Sequence, residues 1–204
     1  MALPTRWQTD TDPGHSQRYI DHFRQLAADG VDLAGEARLV DAMLPRRSRV
    51  LDAGCGLGRV GAALADRGHV VVGVDADPDL ITAAVTDHSG PTWLVADLAE
   101  LDLPAVGEPE PFDAVVVAGN VMPYLAPGSE RDVLERLRRH LVADGIVVVG
   151  FGTDRGYDLA HFDADVVSAG LRLEHRFATW DIRPWTSDAD FAVSVLRWRP
   201  MDTV

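Results

Sequence analysis

A chain of 204 residues fits one compact domain and leaves little room for a second. Its 32 acidic residues against 19 basic ones, all of them arginine, give a net charge of −13. That balance argues against a nucleic-acid binder, which needs a basic footprint, and against an anionic membrane surface.

The single cysteine, Cys55, makes no internal disulfide and supplies no zinc cluster, so no metal is expected. The first twenty residues are polar and acidic rather than signal-like. Apolar runs such as Ile146–Phe151 fall far short of the ~18 residues a membrane span requires. The expectation is a cytoplasmic protein with no membrane partner.

In chain order, helices are expected over Ser16–Ala28 and Gly35–Leu44. Strand-like runs then alternate with helical patterns. The runs Arg49–Ala53, Val70–Asp75, Thr92–Ala96, Phe112–Ala118 and Ile146–Phe151 are valine-rich without period-2 alternation, as in strands buried on both faces of a parallel sheet. Helices fill the gaps over Arg59–Arg67, Pro78–Asp87, Glu130–His140 and Asp158–Ala169, with Asp77 and Ser129 as N-caps. The stretch to about Pro13 and the Asp102–Pro111 segment read as the least structured. Leu171–Trp180 alternates like an edge strand, and Phe191–Leu196 is apolar on both faces; the loop between them allows only a hairpin. The predicted fold is therefore α/β: a doubly wound, mostly parallel seven-stranded sheet with an antiparallel C-terminal strand. Residues 1–34 form an N-terminal segment with a cap helix, and residues 35–204 the domain proper.

The strongest local signal is Val50-Leu-Asp-Ala-Gly-Cys-Gly-Leu-Gly58, running from a strand into a helix. Gly54, Gly56 and Gly58 allow a tight turn and close approach of a ligand to the backbone. Gly56, Gly58 and Gly61 also fit the dinucleotide fingerprint, a weak match alone. Charge separates the readings. Asp52 ends the strand where a pyrophosphate would lie, and like charges ~4 Å apart at an effective dielectric near 20 cost about 4 kcal/mol. S-adenosylmethionine (SAM), with an ammonium and a sulfonium, reverses that sign. Asp75 closes the second strand, where a carboxylate can take both ribose hydroxyls, with Ala76 beside it. Asp97 follows the third strand, where the exocyclic amine of an adenine would lie, and the Leu98 amide could serve the adjacent ring nitrogen.

Over roughly residues 35–150 these motifs resemble the class I SAM-dependent methyltransferases. The Val50–Gly58 run looks like motif I, Val-Gly-Val-Asp75 the acidic motif after it, and Val95-Ala-Asp97-Leu98 the adenine-contacting one. Phe112–Ala118 is similar to the fourth strand. Leu141-Val-Ala-Asp-Gly145 is similar to an L-x-P-G-G stretch, with Ala143 and Asp144 departing from it. The resemblance implies a seven-stranded Rossmann-like fold and methyl transfer from SAM to a small molecule, at oxygen or nitrogen rather than carbon. The implied cofactor contacts are Asp52, Gly54, Cys55, Gly56, Gly58, Asp75, Ala76, Asp97, Leu98 and Asn120. Asn120, in Gly119-Asn-Val-Met-Pro-Tyr124, would face the methyl donor; Tyr19 and His22, on the covering helix, join it as catalytic candidates. Arg38 could pair with the SAM carboxylate or with Asp52. Tyr157, Trp180 and Trp185 lie where an acceptor pocket would form. The alternatives are a nicotinamide-dependent oxidoreductase and a non-catalytic SAM-binding protein.

Overall fold

The computed structural model describes residues 3–199. Seven strands form one sheet in the order β3-β2-β1-β4-β5-β7-β6: β1 Arg49–Ala53, β2 Val70–Asp75, β3 Thr92–Val95, β4 Phe112–Val117, β5 Leu141–Gly152, β6 Arg172–Phe177 and β7 Phe191–Arg197. Strands β1 to β5 pair in parallel, and β7 runs antiparallel between β5 and β6. The expected terminal hairpin is thus present, with its second strand inserted into the sheet. Strand order reverses between β1 and β4, the point where such sheets open a crevice at their carboxyl ends.

The valine runs behave as their composition demands. Leu51, Val72, Val115, Val117, Val147 and Val149 face one core layer, closed by Val133 and Leu137 of α7 (Glu130–Arg139) and Phe162 of α8 (Leu159–Ser168). Their neighbours Val50, Val71, Ala114, Val116 and Val148 face the other, against Val40 of α3 (Gly35–Ala42) and Leu64 of α4 (Arg59–Ala65). A strand covered on both sides has no polar face to alternate with.

Local details depart from expectation. Strand β5 begins at Leu141, five residues early, because Leu141 pairs with Phe112 ahead of a register shift, with Asp144 at φ 66°. Asp77 caps α5 (Pro78–Asp87) by accepting from the Asp79 amide, as expected. Ser129 does not cap α7; its hydroxyl donates to the Ala126 carbonyl instead. The stretch before Pro13 holds a helical turn, α1 (Arg6–Thr9), fastened by a capping box between Thr5 and Gln8, and α2 spans His15–Ala28. A further turn, α6 (Val121–Tyr124), follows β4.

Asp52 requires a correction. Its carboxylate does not look out over the glycine turn; it is 2% exposed, and Oδ2 accepts from the Gly61 amide at 2.8 Å. The N-cap of α4 is Gly58, which has no side chain to offer. Asp52 reaches from the preceding strand to satisfy the third amide of that helix, the job an N-cap oxygen normally does. Burial pushes its carboxyl up to about 7, against the pull of the Gly61 amide and the Arg59 guanidinium.

The glycines of this region also make room for Trp93, on β3. A Cβ at Gly58 or Gly61 would stand 2.7 or 2.9 Å from its ring, and one at Gly73 would overlap it. Gly73→Ala should destabilise the fold by about 1–3 kcal/mol through overpacking, read as a fall in urea midpoint at unchanged slope.

Because the folded pKa of Asp52 exceeds the unfolded value near 4, its protonated form stabilises the fold below about pH 4. That contribution is lost as pH rises towards 7. Asp52→Asn keeps an acceptor for Gly61 and removes the titration. Its stability relative to the parent should therefore be more favourable at pH 8 than at pH 5 by about 2–3 kcal/mol, compared by urea unfolding at the two values. A pH-independent difference would refute the buried-acid account.

Candidate active site

A cleft of about 270 Å³ opens at the carboxyl ends of β1, β2 and β4, over the reversal point of the sheet. Asp75, Ala76, Asp97, Leu98, Gly54, Gly56, Asn120 and Tyr19 border it.

Gly56 sits at φ +56°, and its amide donates to Asp75 Oδ2 at 2.8 Å. Asp75 Oδ1 accepts from the Asp77 amide at 2.9 Å. The carboxylate, which can accept about four hydrogen bonds, keeps accepting capacity beyond these amides. Burial raises the Asp75 carboxyl above its ordinary range, opposed by the Asp77 and Gly56 amides. Asp97 begins a 3-10 turn (Leu98–Glu100) and spends Oδ1 on the Ala99 amide at 2.8 Å.

Across the cleft, Asn120 adopts a left-handed conformation (φ 67°) and its Oδ1 accepts from the Gly152 amide at 2.7 Å. The carbonyl end of Asn120 is thus tied to β5, leaving only its amide nitrogen to act. Tyr19 stands over Gly56: a Cβ there would lie 3.7 Å from its ring, so the glycine leaves a cradle a side chain would fill. Burial raises the Tyr19 hydroxyl, keeping it protonated.

Several expected contacts lie elsewhere. Asp52 stands behind the turn, as described. Cys55 points its thiol into the wall towards Gly73, and desolvation pushes it well above its usual range. Gly58 faces Trp93, so neither residue borders the cleft. His22 is exposed on α2, edge-on to Phe23, and does not border the cleft. Arg38 is exposed and pairs with Asp32. The arginine behind the turn is Arg59, held by Glu36 and the Leu33 carbonyl (2.9 Å) over the Phe23 ring.

Of the aromatic residues after β5, Tyr157 and Trp180 serve the core. Tyr157 and Phe162 pack on Phe151, Trp180 fills the space above Gly150, and Trp185 lies under Arg176. The cleft takes its aromatic wall from Trp7, His15 and Tyr124 instead. Trp7 meets His15, Tyr19 and Tyr124 edge-on, with centroids 4.6, 5.5 and 5.5 Å away. Trp7 and Tyr124 lie on single helical turns, too short to show a period in the sequence.

The residues present fit the nucleoside and amino-acid halves of SAM: two acidic acceptors at neighbouring strand ends, an open glycine cradle, and no arginine or lysine among the described lining residues.

A family model for a methyltransferase domain matches residues 50–145. A TehB-like SAM-dependent methyltransferase from Corynebacterium glutamicum is 42% identical, with 93% of this chain and all of that one aligned at a TM-score of 0.85. The putative methyltransferase YqeM of Bacillus subtilis is 30% identical over 115 residues, which are 53% of this chain and 44% of that protein. The magnesium-protoporphyrin O-methyltransferase of Rhodobacter capsulatus is 39% identical over 129 residues, 59% of this chain and 54% of that one. The chain thus spans about half the length of these curated relatives. With the reversed strand order and the acid-flanked glycine turn in place, these likenesses assign the chain to the class I SAM-dependent methyltransferases.

Proposed function

We propose that the protein transfers a methyl group from SAM to an oxygen or nitrogen of a small molecule in the cytoplasm. The observation that carries the reading is the donor set: Asp75 and Asp97 on neighbouring strands flank Gly56, opposite a wall of uncommitted phenol and imidazole groups.

Asp75 would accept from the ribose hydroxyls, Asp97 and Leu98 would hold the adenine edge, and Ala76 would pack beside them. Gly54 and Gly56 would leave room for the methionine arm. SAM supplies an electrophilic methyl on a sulfonium, so alignment and exclusion of water are the protein's main tasks. Asn120, fixed by Gly152, would offer its amide nitrogen to the reacting end. Tyr19 stays a neutral hydroxyl, able to donate or accept without adding charge. His15 is the one basic side chain among the described lining residues, so it can take a proton from a hydroxyl or amine as the methyl arrives. Nothing among them stabilises a carbanion, which favours oxygen or nitrogen over carbon.

Family membership displaces the nicotinamide reading. A SAM-binding protein without turnover keeps the same cofactor contacts, and release of S-adenosylhomocysteine with any acceptor distinguishes the two.

Calorimetry should show binding of SAM and S-adenosylhomocysteine and no comparable binding of NAD⁺. Asp75→Ala should weaken SAM by about 1–3 kcal/mol. Because Asp75 also holds the Gly56 and Asp77 amides, Asp75→Asn serves as the second variant: it retains the shape and should still lose affinity. Undiminished binding in both removes Asp75 from the cofactor site.

A further inference from the structure

Residues 5–16 cross the mouth of the cleft and are tied down on both of its sides. On the β4 side, Arg6 Nη1 donates to the carbonyls of Pro123 (3.1 Å) and Leu125 (3.3 Å) and pairs with Glu130 Oε1 at 3.2 Å. On the β2 side, Trp7 Nε1 donates to Asp77 Oδ2 at 2.8 Å, and the Ser16 hydroxyl donates to the same oxygen. Between these ties Thr5 and Trp7 form part of the cleft wall.

Besides these ties the segment is held by the Trp7 ring, which packs on the cluster of Ile20, Leu57, Leu80 and Ala83 and edge-on to His15, Tyr19 and Tyr124. Helix α1 is a single turn, too short to persist alone, and none of its residues is buried. The chain returns to α2 through Asp12-Pro13-Gly14, with Gly14 at φ +84°. Arg6 itself does not border the cleft, so its contacts act on the segment and not on a ligand. Glu130, whose side chain is only 9% exposed, also borders a second, polar cleft beside Tyr157 and Asp165. Water entering there can solvate the carboxylate when Arg6 leaves, so opening does not strand a buried charge.

We propose that residues 5–16 are a releasable strap over the cofactor cleft. Arg6 is its positioning residue, holding it shut through Glu130 and the Pro123 and Leu125 carbonyls and so limiting the rate of cofactor exchange. This rests on the SAM reading above. Closure puts the Trp7 ring against Tyr19 and Tyr124, completing the apolar wall that keeps water from the reacting end; release opens that wall for exchange.

The test is the dissociation rate of S-adenosylhomocysteine by stopped-flow displacement. Arg6→Met combined with Glu130→Gln removes the tie without leaving a carboxylate unpaired. It should raise the rate about tenfold or more, while the melting temperature of the unliganded protein shifts little. Glu130→Gln alone keeps an acceptor for Arg6 and should stay within about threefold of the parent. Amide exchange on the unaltered protein gives an independent reading: the Thr9 and Asp10 amides, bonded to Thr5 and Arg6, should gain protection when the ligand saturates it. An unchanged dissociation rate in the double variant, or unchanged protection, overturns the strap. An unaltered protein that does not bind S-adenosylhomocysteine overturns the cofactor reading, and the strap's role with it.

Discussion

The turn between β1 and α4 exposes a run of backbone amides that ordinary side-chain caps do not reach, and the fold supplies acceptors for them from neighbouring strands. Gly54 and Cys55 donate to the Val74 carbonyl, Gly56 to Asp75, and Gly61 to Asp52. A turn built from glycines loses more conformational entropy on folding than any other sequence would, so it needs such fixed partners to hold one shape. The same bonds lock the ends of β1 and β2 into register with the helix that follows. Everything bordering the cleft on this side inherits its position from that arrangement.

The acids divide by depth. Asp52 lies behind the turn and serves the helix, whereas Asp75 borders the cleft and holds the Gly56 and Asp77 amides, one on each oxygen. Burial raises both carboxyls, and a cation arriving in the cleft would restore their charged forms. In the proposed reading, the attraction that the sequence suggested between an acidic rim and a sulfonium would fall to different members. Asp75 and Asp97 would form that rim, with Asp52 behind it; Arg59, paired with Glu36, lies close enough to pull on the Asp52 carboxyl.

Legibility followed the length scale of the signal. Parallel strands were visible because burial on both faces leaves continuous valine runs, and the terminal hairpin because ten residues cannot hold a crossover. Asp75, Asp97 and Gly56 were visible because strand ends and a turn fix their direction with no help from the rest of the chain. Asp52 was misread, since a residue at a strand end points outward or into the wall according to the pleat, and one position decides which. Trp7, His15 and Tyr124 were invisible as a group. Trp7 and Tyr124 sit on short turns more than a hundred residues apart and His15 opens α2; the packing of α1 on α6 brings Trp7 and Tyr124 together. Of the aromatic residues expected to form an acceptor wall, Tyr157 and Trp180 are absorbed by the two core layers, and Trp185 lies against Arg176.

That exchange of aromatic residues has a physical consequence. A wall built on core-packed rings after β5 would be rigid, since each ring is fixed by the layer beneath it. A wall built on Trp7 rests on a single helical turn, held by polar ties at its edges and by ring contacts with Tyr19 and Tyr124, and has no sheet layer beneath it to fix it. The side of the cleft that would contact a nucleoside is thus the permanent side, made of strand ends and a bonded turn. The side above the reacting end is assembled from short turns. A site that must grip one invariant cofactor, yet admit and release two molecules each cycle, is served by this division: precision where the ligand never changes, and looseness where it has to pass.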